Sequence, residues 1–205
     1  MVTKVTPTQV KQLREATGAG FQDCRNALLE SQGDVQAAID YLRQKGVEFA
    51  AKKADRTTHE GMIEVYRHHT GGLSVIVEIN CETDFVARSA PFQQFARDLS
   101  LHIANDAPLY VRREDIPQHE IRAQEAKQRE KTLSEGKPSQ IVDRIVAGRM
   151  EKWYQRVVLM EQSWLHDDEY TVGEIVTQLI AETRENMVIR RFARFALSET
   201  TEDET

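Results

Sequence analysis

The sequence predicts an α+β fold: an N-terminal three-helix bundle, then a core with a three-stranded antiparallel sheet, packed helices and a projecting helical hairpin. Three observations carry this. The first fifty residues hold three short amphipathic runs bounded by cap residues and glycines. Two β-rich runs flank Thr70-Gly71-Gly72, a hairpin signal, and a third run near the C-terminus alternates apolar and basic residues. Long stretches of helical spacing fill the interval, two of them meeting at Gly136-Lys137-Pro138.

The first helix starts at Thr6-Pro7-Thr8-Gln9, where Thr6 caps, Pro7 suits the first helical position and Gln9 completes a capping box. Val10, Leu13 and Ala16/Thr17 follow at helical spacing, and Gly18-Ala19-Gly20 breaks the run. A second helix begins near Phe21 with Cys24, Leu28 and Leu29 on its stripe, and Gly33 stops it. Asp34 caps a third, which carries Val35, Ala38, Ile39 and Leu42 and is expected to end at Gly46. Helices this short must pack on one another to persist in water. Residues 1–50 therefore read as one module. The polar, basic stretch 51–60, with Lys52, Lys53 and Arg56, reads as a linker or a frayed helix leading into one.

The body spans residues 61–198. Met62–His69 and Leu73–Asn80 are its first strands, with Val75, Val77 and Ile79 alternating along the second. Ser89-Ala90-Pro91 opens a helix whose stripe is Phe92, Phe95/Ala96, Leu99 and His102/Ile103, and Asn105–Pro108 stops it. A helical hairpin over about 118–162 has a thinly apolar first arm and a second arm carrying Val142, Val146, Met150 and Trp153, and is expected to project. Thr171–Glu174 starts one more helix, and Met187–Leu197 supplies the third strand. Residues 199–205 form an acidic tail expected to be disordered.

Composition narrows the function classes. The 205 residues carry 27 Lys and Arg against 33 Asp and Glu, a net charge of −6, so no basic footprint for direct nucleic-acid binding stands out. No apolar run reaches the roughly 20 residues needed to cross a bilayer, and no secretory h-region occurs in the opening residues. The two cysteines, Cys24 and Cys81, lack a C-x-x-C partner, which argues against a disulfide framework or zinc site and for reduced thiols in the cytoplasm.

Enzyme signals are close to nil. His68 and His69 sit on neighbouring strand positions expected to face opposite sides, so they read as surface histidines and not as metal ligands. His102 extends an apolar stripe and reads as a satisfied core histidine. Gly136-Lys137-Pro138 lacks the leading glycine and trailing hydroxyl residue of a phosphate loop. No carboxylate pair with a neighbouring base forms a catalytic set, and no cofactor or metal is implied. One segment stands apart. Thr83-Asp84-Phe85-Val86 follows a strand and precedes a helix, on a connecting loop where contact residues concentrate. The plainer reading has Thr83 capping a turn and Phe85 folding back on the core; the functional one makes Phe85 an apolar wedge with a charge at its base.

The residues then reach a resemblance. Leu13–Gly20, Asp23–Leu28, Gly33-Asp34, Ala38-Ile39, Leu42–Gly46 and Ala50–Ala54 closely resemble the opening of bacterial elongation factor Ts. Val77–Ala87 is similar to that family's second signature, and Gly136–Pro138, Gly148–Met150 and Glu185–Arg191 also fit. Two long, ordered motifs at the right separation make the resemblance specific.

The resemblance implies a guanine nucleotide exchange factor for elongation factor Tu, not an enzyme in itself, with no cofactor of its own. It implies that the N-terminal module is a ubiquitin-associated-like bundle docking on the GTPase through Arg14, Phe21 and Gln22, although Phe21-Gln22 is not the commonest family pair. It implies that Thr83, Asp84, Phe85 and Val86 dislodge the GTPase's Mg²⁺, which favours the exposed wedge for Phe85. Asp84 either competes for local donors or repels the phosphate side. Long family members duplicate the core, whereas this chain holds one copy, like the short forms, so a non-covalent homodimer is expected. Two rivals are a helical protein–protein adaptor without exchange activity and an RNA-associated factor using Lys52-Lys53 and Arg190-Arg191; net charge disfavours the second.

Overall fold

The capping box at Thr6 forms as the sequence dictates. In the computed structural model, which describes residues 5–197, α1 runs Pro7–Thr17, Thr6 accepts from the Gln9 N–H and the Gln9 side chain returns to the Thr6 backbone. Gly18 ends α1 at φ 68°, where glycine carries no Cβ penalty, and donates to the Arg14 carbonyl. α2 spans Phe21–Glu30, and α3 starts at Val35 behind the Asp34 cap, whose carboxylate accepts from the Ala37 N–H at 2.9 Å. Val10, Leu13, Cys24, Ala27, Leu28 and Ala38 form the buried centre of this bundle.

The end of α3 differs from expectation. α3 continues through Gly46 to Lys53, so it takes in the first residues of the stretch expected as a linker, and a cut at residue 50 falls inside a helix. A glycine in a helix interior costs only about 1 kcal/mol relative to alanine. Good helix formers follow it, Lys45 pairs with Glu48 at 3.0 Å, and the Lys53 ammonium lies 5.3 Å from the Phe49 ring. Gly46 is itself buried, and a Cβ there would meet Ala181 and Thr177 at 3.7 and 3.8 Å.

Strands β1 (Glu60–Arg67) and β2 (Leu73–Cys81) form the expected hairpin, closed by the His68 N–H on the Leu73 carbonyl. Then come α4 (Asp84–Ala87), α5 (Ala90–Asp106), α6 (Gln118–Ser134) and α7 (Ser139–Val157). A small pair, β3 (Ser163–Trp164) and β4 (Asp167–Thr171), precedes α8 (Val172–Thr183) and β5 (Met187–Ala196). The main sheet has the order β1-β2-β5 and is antiparallel: Leu197 donates to the Gly72 carbonyl at one end, and Arg191 pairs with Glu78 towards the other. Val75, Val77 and Ile79 are fully buried, as their alternation requires. Gly61 in β1 has φ 147°, and a Cβ there would lie 2.1 Å from the Ile79 carbonyl oxygen, so only glycine fits. The β3–β4 pair was not expected; its strands are short and β4 opens on three acids, with no alternation to reveal it.

Contacts divide the chain into two compact units. One comprises the described residues up to Met62 with Ile79–Phe95 and Glu174–Val188; the other comprises Ile63–Glu78, Ala96–Gly173 and the described residues from Ile189 on. Within the second, α6 and α7 form the expected hairpin, whose second helix ends at Val157, before the anticipated 162. Val142, Val146 and Met150 make the α7 seam, while Thr132 is the buried residue of α6. Ionic contacts supplement that thin seam: Arg129 to Asp143 at 2.6 Å and Arg149 to Glu135 at 2.7 Å. Near the other end, Arg113 forks onto Glu151 and Glu161 and lies over the Tyr154 ring. The acidic tail at 199–205 lies outside the described residues.

Candidate partner-binding site

The loop after β2 becomes a single helical turn because Thr83 caps it. Thr83 has extended φ and ψ, its hydroxyl accepts from the Val86 N–H at 3.4 Å, and Asp84 occupies the first turn, where a carboxylate meets the positive end of the backbone dipoles. Asp84 also pairs with Arg88 at 3.2 Å, both side chains being exposed. Val86 and Ala87 are buried, at 5% and 8% exposure. Successive helical residues are about 100° apart, so anchoring those two inward turns Phe85 outward. It is 80% exposed and does not fold back onto the core. Of the four expected contact residues, Thr83, Asp84 and Phe85 are at the surface and Val86 is in the interior.

A dense hydrogen-bonded node holds this turn. Glu185 accepts from both the Thr83 N–H at 3.0 Å and the Thr83 hydroxyl at 2.6 Å. Reciprocally, Glu82 accepts from the Asn186 N–H at 2.7 Å and pairs with Arg56 at 3.2 Å. The Asn186 N–H, then Arg56, hold the Glu82 carboxyl below its ordinary pKa. Asn186 is buried, and its side chain donates to the carbonyls of Ala54 and Arg56 at 3.2 and 2.9 Å. Cys81 donates its S–H to the Thr83 carbonyl at 3.1 Å, and burial pushes its thiol up to about 11. Cys24 is likewise buried with a raised pKa; both cysteines are free thiols.

The other expected contact residues lie on the helical bundle. Arg14 is exposed in the last turn of α1; Phe21 and Gln22 open α2, with Phe21 53% exposed and Gln22 donating to Asn26 at 3.0 Å. Asp23, one residue on, pairs with Arg184, whose guanidinium lies 4.9 Å from the Phe49 ring. The bundle and the Thr83–Ala87 turn belong to the same compact unit.

Two of the histidines share the β1–β2 turn and a third is buried. His68 and His69 do not oppose one another across a strand: β1 ends at Arg67, both lie in the turn, and their rings are 4.1 Å apart. His102 is fully buried and stacks on Trp164. The Gln162 amide nitrogen donates to the carbonyls of Arg156 and Asp106, which turns its oxygen towards His102 Nε2 at 3.0 Å. Burial lowers the ring's pKa, opposed by the Gln162 oxygen and by the Asp106 carboxylate 3.5 Å from Nδ1, which raise it. Among the described residues, no cluster of three His, Cys, Asp or Glu could hold a metal ion, and no helix is long and apolar enough to cross a membrane.

Comparison with known proteins decides the family. The family model described as elongation factor TS matches residues 3–179. The elongation factor Ts of Caldanaerobacter subterraneus subsp. tengcongensis is 48% identical over 195 residues, covering 95% of this chain and 98% of its own. That of Carboxydothermus hydrogenoformans is 49% identical over 95% of this chain and 90% of its own, and that of Citrifermentans bemidjiense 47% identical over the same shares. The chain belongs to the elongation factor Ts family. It is thus placed among the translation elongation factors of protein biosynthesis.

The residues that hold the Phe85 turn are scarcely marked in the sequence. Glu185 and Asn186 entered only as part of a family-like string, and Arg184 not at all. Their partners are about a hundred residues away or more, and nothing local announces them. Three consecutive polar residues between a helix end and a strand were the one available sign.

Proposed function

We propose that this elongation factor Ts family member is a non-enzymatic guanine nucleotide exchange factor for elongation factor Tu, promoting GDP release by perturbing the Mg²⁺ and phosphate site of the GTPase. The observation that carries the reading is Phe85: a large aromatic left 80% in solvent, on a turn whose next two residues are locked into the core. An exposed aromatic on a fixed turn is suited to burial in a partner. Arg14, Phe21 and Gln22 provide docking contacts; Thr83, Asp84 and Phe85 face the GTPase, and Val86 anchors the turn.

Such a factor makes and breaks no covalent bond. Nanomolar nucleotide binding is worth about 12 kcal/mol. A factor that prefers the nucleotide-free GTPase weakens nucleotide by the same factor by which nucleotide weakens it. Phe85 inserted near the metal shifts that site without touching the nucleotide. Asp84 already pairs with Arg88, so its charge is partly balanced on its own turn. The test is release of labelled GDP from purified elongation factor Tu, in the cytoplasmic setting this role implies. Acceleration supports the reading; a rate unchanged by the full chain overturns it.

The chain also pairs with a second copy through its sheet. Ile63 and Val65 of β1, Ile76 of β2 and Phe195 of β5 are exposed on the side away from buried Val75 and Val77, with Leu197 beside them at 79% exposure. A two-fold pairing sets this apolar patch against itself.

A further inference from the structure

The turn between α8 and β5 touches three separate parts of its unit through three consecutive residues. Arg184 ion-pairs with Asp23 of α2 and covers Phe49 of α3. Glu185 takes both donors of Thr83, the cap of the turn that carries Phe85. Asn186 binds the chain just beyond α3 through its side chain and Glu82 through its N–H. The exchange reading gives none of the three a task.

The backbone pays for this arrangement. Arg184 sits at φ 64°, left-handed space that a non-glycine residue enters at a cost. Glycine would relieve the strain but would lose the guanidinium that meets Asp23 and Phe49. The left-handed step ends α8 and turns the chain towards β5, and Arg184, Glu185 and Asn186 reach different parts of the unit from there.

We propose that Arg184-Glu185-Asn186 is the coupling element of this exchange factor, with Glu185 as the positioning residue that holds the Phe85 turn in a fixed attitude to the docking helices. The proposal rests on the exchange reading and gives it a mechanical part. Phe85 can act as a wedge only if it resists being pushed aside when the partner closes on it. The Thr83–Val86 cap is one long hydrogen bond at 3.4 Å and is too weak to supply that resistance alone. Two hydrogen bonds from Glu185 to Thr83 fix the cap itself, because a carboxylate accepts from a backbone N–H and a hydroxyl together and binds both more strongly than a neutral group would. Arg184 and Asn186 tie the same turn to α2 and to the end of α3, so the load on Phe85 returns to the helices that dock.

The experiment compares the full chain with Glu185→Ala and Glu185→Gln, following GDP release from elongation factor Tu at several concentrations of each. Amide hydrogen exchange of the free proteins is measured in parallel. Glu185→Ala should lower the maximal release rate at least about tenfold while the concentration for half-maximal rate stays within about twofold, since docking residues are untouched. Glu185→Gln, whose amide oxygen still accepts from Thr83, should recover most of the rate. In the free protein, the Thr83 and Val86 amides should lose protection in Glu185→Ala and retain it in Glu185→Gln. An unchanged maximal rate in Glu185→Ala, a loss confined to the half-maximal concentration, or unchanged protection at Thr83 and Val86 would each overturn the proposal. Failure of the unaltered chain to release GDP would instead overturn the exchange reading, and the amide measurement would still decide whether Glu185 holds the turn.

Discussion

Replacing Phe85 by alanine separates a contact made in the partner complex from one made in the fold. A phenylalanine side chain offers about 200 Å² for burial. At 80% exposure in the free chain, about 160 Å² of that remains available to a partner. Truncation to the β-carbon removes about 120 Å² of it, or about 3 kcal/mol at 25 cal/mol per Å². If that area is buried only as GDP leaves, the rate falls roughly 100-fold, at 1.36 kcal/mol per decade. The fold has little to lose, because Val86 and Ala87 hold the turn from inside. Stability should change by about 0.5 kcal/mol or less, as for other exposed positions, which moves the melting temperature by about 2 °C at most. Stopped-flow release of fluorescent GDP from elongation factor Tu reads the first quantity, and a thermal melt of the free variant reads the second. A release rate within about threefold of the unaltered chain, with the melt unchanged, refutes the wedge. A large fall in melting temperature refutes the claim that Phe85 stands clear of the core.

Two further outcomes follow from the fold. Burial depresses the His102 pKa below 6.5, so the unfolded chain binds that proton more tightly; the resulting stability is complete above about pH 6.5 and is lost as pH falls through the folded value. His102→Gln should therefore lower the melting temperature near neutrality, by removing the Trp164 stack, yet flatten its decline on acidification; parallel acid slopes for the two proteins would refute this. Light scattering over a concentration series should show the chain moving towards twice its monomer mass, indifferent to reductant because Cys24 and Cys81 are buried. Phe195→Asp should hold it at the monomer mass with an unchanged circular dichroism spectrum; an unaltered chain that stays monomeric at tens of micromolar refutes the sheet pairing.

How much was legible depended on how local the cause was. The Thr6 box, the Asp34 cap and the burial of Val75, Val77 and Ile79 follow from neighbours within a few residues and appear where the spacing put them, as do the two arms of the hairpin apart from the earlier end of the second at Val157. Gly46 misled because a local stop signal was outweighed by the helix formers after it. The opposite facing expected of His68 and His69 failed because the strand ends two residues before its pattern, at Arg67, which removes the alternation that would have separated them. The β3–β4 pair is too short and too acidic to carry any period. At the candidate site, the chemistry of Thr83 as a cap was local and readable. The direction of Phe85 was readable only through the resemblance, because it depends on which of its neighbours the core accepts.

The same dependence explains why the turn can present an aromatic to water at all. A four-residue helix has no stability of its own, and an exposed phenylalanine gains nothing in the free chain. Three sets of contacts substitute for length: Val86 and Ala87 packed inward, the Cys81 thiol on the Thr83 carbonyl, and the Glu185 carboxylate on the Thr83 N–H and hydroxyl. Each acts on a residue flanking Phe85 and none on Phe85 itself. The side chain is left without internal partners while its backbone is held from both ends. In that state, burying its ring in a partner forfeits no contact within this chain and orders little that was previously free. The free energy of the contact is then available to act on the partner's nucleotide site.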